Sequence, residues 1–149
     1  MVTTCPQAGP QALSFAGQKL ALADAKHERR PFYVQDGIQA VTLYEEAAAC
    51  LRAGGDAASA AGPDNAAKSL RTEINNEYRA HNLRLEHALN IMADRRSDDA
   101  VKTEMSKDAL KETRALLKFV QGKSGDYVKS LTIRERNLSL KVGSQGNQK

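Results

Sequence analysis

A chain of 149 residues has room for one ordinary domain, or a small domain with an added arm, and can bury a core without metal or disulfide support. Only 5% of its residues are aromatic, Trp is absent and alanine clusters such as AAAC and AASAA recur, which favours close-packed helices over sheets. Residues 1–97 balance 11 Lys/Arg against 11 Asp/Glu and residues 98–149 carry 11 against 7, so the net charge of +4 sits wholly in the C-terminal part, and no apolar run approaches the span of a membrane helix.

Residues 1–11 hold Pro6 and Gly9, lack periodicity, and are expected to be disordered. From Ala12 the pattern ALSFAGQKLALADAKHERR gathers Ala12, Phe15 or Ala16, Lys19 or Leu20, and Ala23 on one side, a first helix that Arg30-Pro31 ends. Phe32 and Tyr33 are expected to plug the end of a bundle. In the second helix, from about Phe32 or Asp36 to Arg52, Ile38, Val41, Tyr44, Ala48 and Leu51 recur at spacings of 3, 3, 4 and 3. Gly54-Gly55 stops it. Gly62-Pro63 closes the following connection, with Asp64 as the N-cap of a third helix to Ala93. There Leu70, Ile74, Tyr78, His81, Leu85, Leu89 and Met92 form one long stripe, the natural partner of the stripe on helix two.

Ser97, followed by two aspartates, is expected to cap a fourth helix carrying Val101, Met105, Ala109, Leu116 and Val120 and ending at Gly122-Lys123-Ser124-Gly125. Its stripe either packs on the first three helices or projects with the third as a hairpin. Beyond Asp126 the residues fit either a short fifth helix to about Asn137 or, through Leu131, Ile133, Leu138, Leu140 and Val142, a strand; the helix is preferred. GSQGNQK is expected to be a disordered tail. The fold class is therefore all-α: an antiparallel three-helix bundle over residues 12–95, an additional helix over 97–121, and a basic C-terminal segment over 122–149.

No motif points to catalysis. His81 lies on an apolar stripe, where a hydrogen-bonded core histidine is the ordinary reading, and His87, six residues on, points elsewhere; no HExxH or Cys-x-x-Cys pattern occurs, so no metal or cofactor is expected. Glu45 and Glu46 diverge by about 100° on a helix and are expected to be solvated, not a proton-sharing pair. Cys5 and Cys50 are read as two reduced thiols, Cys50 as a small core residue. With no leader in MVTTCPQAGPQAL, the expected setting is cytoplasmic.

The stretches ALSFAGQKLALADA, DGIQAVTLYEEAAACLRAG and SLRTEINNEYRAHNLRLEHAL together resemble the MIT domain, the microtubule-interacting and trafficking module. The family's second helix carries Tyr-x-x-Ala-x-x-Leu-Tyr-x-x-Ala-x-x-x-Leu-x-x-Ala; Ala40, Leu43, Tyr44, Ala47 and Leu51 stand at those places, with Ala53 one position before the last of them and Gly37 where the leading Tyr belongs. In helix three, Leu70 or Ile74, Tyr78 and Leu85 follow the family's aliphatic, Tyr, Leu order. The resemblance implies a non-catalytic protein-interaction module whose grooves take short tails of ESCRT-III subunits, as a helix between helices two and three or as an extended strip between helices one and three. It places the partner-binding groove at Glu46, Cys50, Arg79, Leu83, Glu86 and His87. Arg79 and Leu83 stand where the family has an apolar and an acidic residue, so Glu77, Glu86 or Glu46 would have to read a ligand's arginine.

Two other readings come from different classes. A tetratricopeptide-like adaptor would use helices three and four as its hairpin, but no 34-residue repeat is visible. The basic surface of Lys111, Arg114, Lys118, Arg134 and Arg136 would suit microtubules, anionic lipid or nucleic acid, with binding that weakens steeply with salt.

Overall fold

The computed structural model describes residues 1–146, and these form five helices: α1 (Gly9–Arg29), α2 (Val34–Ala53), α3 (Ala61–Ala93), α4 (Asp99–Phe119) and α5 (Asp126–Gly146). The all-α expectation holds, and none of the described helices is long and apolar enough to cross a membrane. Two compact units, Met1–Asn75 and Asn76–Lys149, divide inside α3, whereas the sequence suggests one bundle to residue 95. The reason lies in the α3 stripe. Leu70 and Ile74 pack with α1 and α2, but Tyr78, Leu85, Leu89 and Met92 pack with α4 and α5. Periodicity identifies the apolar side of a helix without saying which neighbour covers it.

In the first unit α2 is the central element, buried on nearly every side through Ala40, Val41, Leu43, Tyr44, Ala47 and Ala48 among others. Its core joins Ala23 of α1 and Ala67 and Leu70 of α3 to α2, with Leu70 fully enclosed. Small residues let α1 approach closely: Ala12, Ala16 and Ala23 are its buried positions. Two glycines of the α2 segment mark the tightest approaches. A β-carbon at Gly54 would collide with the Leu13 side chain, and one at Gly37 would collide with the stem of Arg30. Ion pairs join the same helices, Lys19 to Glu46 at 2.6 Å and Lys26 to Asp36 at 2.8 Å. The Lys26 hydrogen bond, with Arg29 close by, holds the Asp36 carboxyl below the usual carboxylate range.

The ends of α2 and α3 follow from local chemistry. The α2 C-terminus closes with Gly55 N–H donating to the Arg52 carbonyl and Asp56 N–H to the Leu51 carbonyl, Gly55 taking φ +86, a Schellman arrangement that glycine adopts without strain. α3 begins at Ala61, ahead of the expected start, because a proline in the first turn gives up only an N–H that the helix would leave unbonded. Asp64 therefore lies inside α3 and pairs with Arg52 instead of capping. Phe32 and Tyr33 do not plug the bundle: both amides bond to the Arg29 carbonyl in a tight turn that leaves the rings 81% and 64% exposed.

Two further expectations fail at the start of the chain. Cys5 and Cys50 form a disulfide, 45 residues apart in sequence with Cα atoms 4.8 Å apart, so neither is a reduced thiol and residues 1–11 are not a loose tail. Glu45 is also not solvated. It is buried, paired with Arg71 of α3, and accepts a hydrogen bond from the Val2 backbone N–H at 3.0 Å.

In the second unit α4 packs against the later part of α3 and against α5, which places the helix whose position the sequence leaves open. The core is Leu85 and Ala88 of α3, Ala109, Leu110 and Leu116 of α4, and Leu131 and Leu138 of α5. The cap of α4 is Asp98, not Ser97; its carboxylate accepts from the Val101 N–H at 2.8 Å. The buried face of α4 includes Ser106 and Thr113, whose hydroxyls donate to the carbonyls of Lys102 and Ala109 at 2.8 and 2.7 Å and so need no partner from another helix. α5 is helical well beyond Asn137. The strand-like alternation arises because Ile133 and Leu140 lie on its outer face, 59% and 69% exposed, while Val128, Leu131, Leu138 and Val142 keep a helical stripe inward. Of the expected tail, residues 143–146 are helical and 147–149 lie outside the described residues.

Candidate functional site

The second unit carries a groove of about 500 Å³ between α3 and α4, lined by Leu83, Arg84, His87 and Ala88 on one side and Met105, Asp108, Lys111 and Glu112 on the other. The spacing of these residues follows from helix geometry: 84, 87 and 88 share one edge of α3, and 105, 108 and 112 one edge of α4. Its floor is a charged cluster. Glu112 is buried, 6% exposed, and receives hydrogen bonds from His81 Nδ1 and from Arg84 Nε, the latter at 3.2 Å. Phe119 covers the cluster from below, its ring centre 5.7 Å from that of His81 and 5.7 Å from that of Tyr78.

Burial pushes the Glu112 carboxyl upward, but the His81 hydrogen bond and the Arg84 charge together outweigh it and hold the carboxyl below its usual value of 4.5. A depressed folded-state pKa means that the ionised group stabilises the fold above the unfolded value and that this contribution disappears as pH falls through the folded one. The thermal stability of the native chain is thus expected to exceed that of Glu112→Gln near neutral pH, with the difference closing as pH falls below 4.5 and through the depressed folded-state value. Melting curves of both proteins at a series of pH values test this; a gap independent of pH would exclude an ionised Glu112 as its source.

Of the positions expected to form the binding groove, Leu83 and His87 line this one, and Leu83 is 66% exposed. Arg79 and Glu86 are exposed on α3 but do not line it. Glu46 is turned to Lys19 of α1 and is half-buried, and Cys50 is fully buried in its disulfide and presents no surface. Within the expected basic surface, Lys111 stands on the groove rim, whereas Arg114 binds Glu135 of α5 at 2.9 Å and so joins two helices of the unit. Lys118 and Arg136 are exposed, and Arg134 is half-buried beside Leu89 and Leu138.

Glu112 was absent from the sequence-derived site although its signal was present: position 112 continues the α4 series 105, 109, 116, on a buried stripe opposite His81. Glu45 borders the α2 stripe, four residues after Val41 and three before Ala48, but α2 is buried almost all round, so the stripe alone does not say which of its carboxylates is enclosed. Among the described residues no group of three or more His, Cys, Asp or Glu side chains is arranged to hold a metal ion. No protein-family model, curated protein or solved structure matches the chain.

Proposed function

We propose that the chain is a non-catalytic protein-interaction module that docks an amphipathic helix of a partner protein in the α3–α4 groove. The observation that carries this reading is Leu83, an exposed leucine beside a cleft whose walls include Ala88 and Met105 and whose floor is a fixed charge cluster. An apolar ridge on the incoming helix fills the cleft, and Asp108 and Lys111 on the rim offer one charge of each sign to set its direction. The non-catalytic part rests on how the buried carboxylates are used: Glu45 is taken up by Arg71 and Glu112 by His81 and Arg84.

The narrower MIT-type reading, with ESCRT-III-like tails or cytoskeletal proteins as partners, rests on the residue pattern of α1 to α3 and stays part of the proposal. A cytoplasmic setting requires the Cys5–Cys50 bond to be transient, since the reducing thiols there open persistent disulfides. The test is titration of the chain with fluorescent ESCRT-III-type tail peptides and with generic amphipathic helical peptides. Leu83→Asp is expected to weaken binding by about 10- to 100-fold, the loss typical of a central apolar anchor, with helical circular dichroism unchanged. If no helical peptide binds, or Leu83→Asp binds as well as the native chain, the docking reading is wrong.

A further inference from the structure

The first unit holds a different groove, of about 600 Å³, between α2 and α3, and part of its lining is the chain's own start: Met1, Val2 and Thr3 lie with Glu45 and Arg52 of α2 and Arg71 of α3. We propose that the Cys5–Cys50 disulfide is a redox latch that keeps residues 1–4 in this groove, and that a dithiol reductant releases them and opens it. The occupant is thus a segment of this chain, and the α3–α4 groove of the second unit plays no part.

The ties on the segment are few. Met1 is 95% exposed, Thr3 and Thr4 are exposed, and only Val2 is half-buried. Apart from the disulfide, the anchor is the Val2 N–H donating to Glu45 Oε2 at 3.0 Å. One hydrogen bond and one half-covered valine do not offset the entropy of ordering four backbone residues, so the covalent bond decides whether the segment stays. Glu45 does not depend on it. Arg71 holds the other carboxylate oxygen, so departure of Val2 leaves a paired carboxylate facing an open groove, ready to accept from the backbone N–H of another extended strand.

The two sulfurs differ in access. Cys50 is 0% exposed, while Cys5 is only partly covered and its sulfur accepts the Gln7 N–H at 3.4 Å. A thiolate of the dithiol therefore attacks the Cys5 sulfur; the S–S bond breaks and Cys50 leaves with the electron pair and takes a proton. The reductant's second thiolate then attacks its own sulfur in the mixed disulfide, releasing Cys5, which takes the second proton. Two electrons have passed to the protein and the reductant has become a cyclic disulfide. Cys50 remains a thiol with no exposed surface on α2, and Cys5 moves away with the segment.

Amide spectra of the isotopically labelled full chain, oxidised and then treated with dithiothreitol, test the latch. Expected on reduction are random-coil positions for the Val2 and Thr3 amides, at least a tenfold loss of exchange protection at Val2, and shifts at Glu45 and Arg71, with Tyr44 and Leu70 unmoved. Cys5→Ser is expected to give the reduced spectrum without reductant. Three results would overturn the proposal: a bond that dithiothreitol leaves closed in the folded protein; residues 1–4 still ordered in the reduced chain or in Cys5→Ser; or changes reaching Tyr44 and Leu70, which would make the bond a staple of the whole unit.

Discussion

Replacing Leu70 by alanine is expected to lower the unfolding free energy of the first unit by about 2–5 kcal/mol, the range for a fully buried leucine whose neighbours only partly collapse. Leu70 has no exposed surface and lies in a cluster with Ala23, Ala40 and Ala67 beside Val41, Leu43 and Tyr44. The alanines have no rotamer with which to fill a void, so the collapse is left to the larger neighbours and is only partial. For a unit of this size each kcal/mol corresponds to about 4–8 °C in melting temperature, so calorimetry resolves the effect readily. Leu22→Ala, at a position 47% exposed, is the matched control and should cost far less. Equal losses from the two substitutions would mean that Leu70 is not the enclosed centre of the cluster.

The second large effect belongs to the disulfide. Removing it with Cys5→Ser is expected to destabilise the first unit by about 2–4 kcal/mol, chiefly because the unfolded chain regains the freedom of the 45-residue loop that the bond closes. A reductant should impose the same loss on the native chain and none on the variant, and chemical denaturation of the four samples separates these cases. The loss falls within the usual margin of a folded domain, so the native arrangement survives it. If Cys5→Ser unfolds as late as the oxidised protein, the bond contributes nothing to stability.

Much of this architecture was legible as helical period, and what escaped has physical causes. The stripes on α2 and α3 announced buried faces, yet a stripe carries no address, so the transfer of α3 from one set of neighbours to the other after Ile74 could not be read. The outward Ile133 and Leu140 of α5 imitated a strand because apolar side chains on an exposed face add their own period to the inward one. Cys5 and Cys50 looked unrelated, since pairing across 45 residues depends on the fold and leaves no local trace. The α3–α4 groove was visible only on one side: Leu83 and His87 stand out by position on α3, though for a groove shared with helix two, whereas Met105 and Glu112 required knowing that α4 lies beside them. Glu112 was the recoverable omission, a glutamate in phase with Ala109 and Leu116.

The two glycines under Leu13 and Arg30 also bear on how α1 finds its place along α2. Leu13 to Arg30, along α1 and its C-cap, and Gly37 to Gly54, along α2 and its C-cap, are equal spans of seventeen residues, run in opposite directions. A seam of alanines is smooth and by itself would let one helix slide along the other. Two projections that fit two gaps at opposite ends, at matched separation, remove that freedom: a shift of one residue takes both projections out of their gaps at once. Beside the ion pairs of Lys19 with Glu46 and Lys26 with Asp36, the register of the pair is thus set by where side chains are missing, and a single methyl group at Gly54, facing the branched end of Leu13, is enough to disturb it.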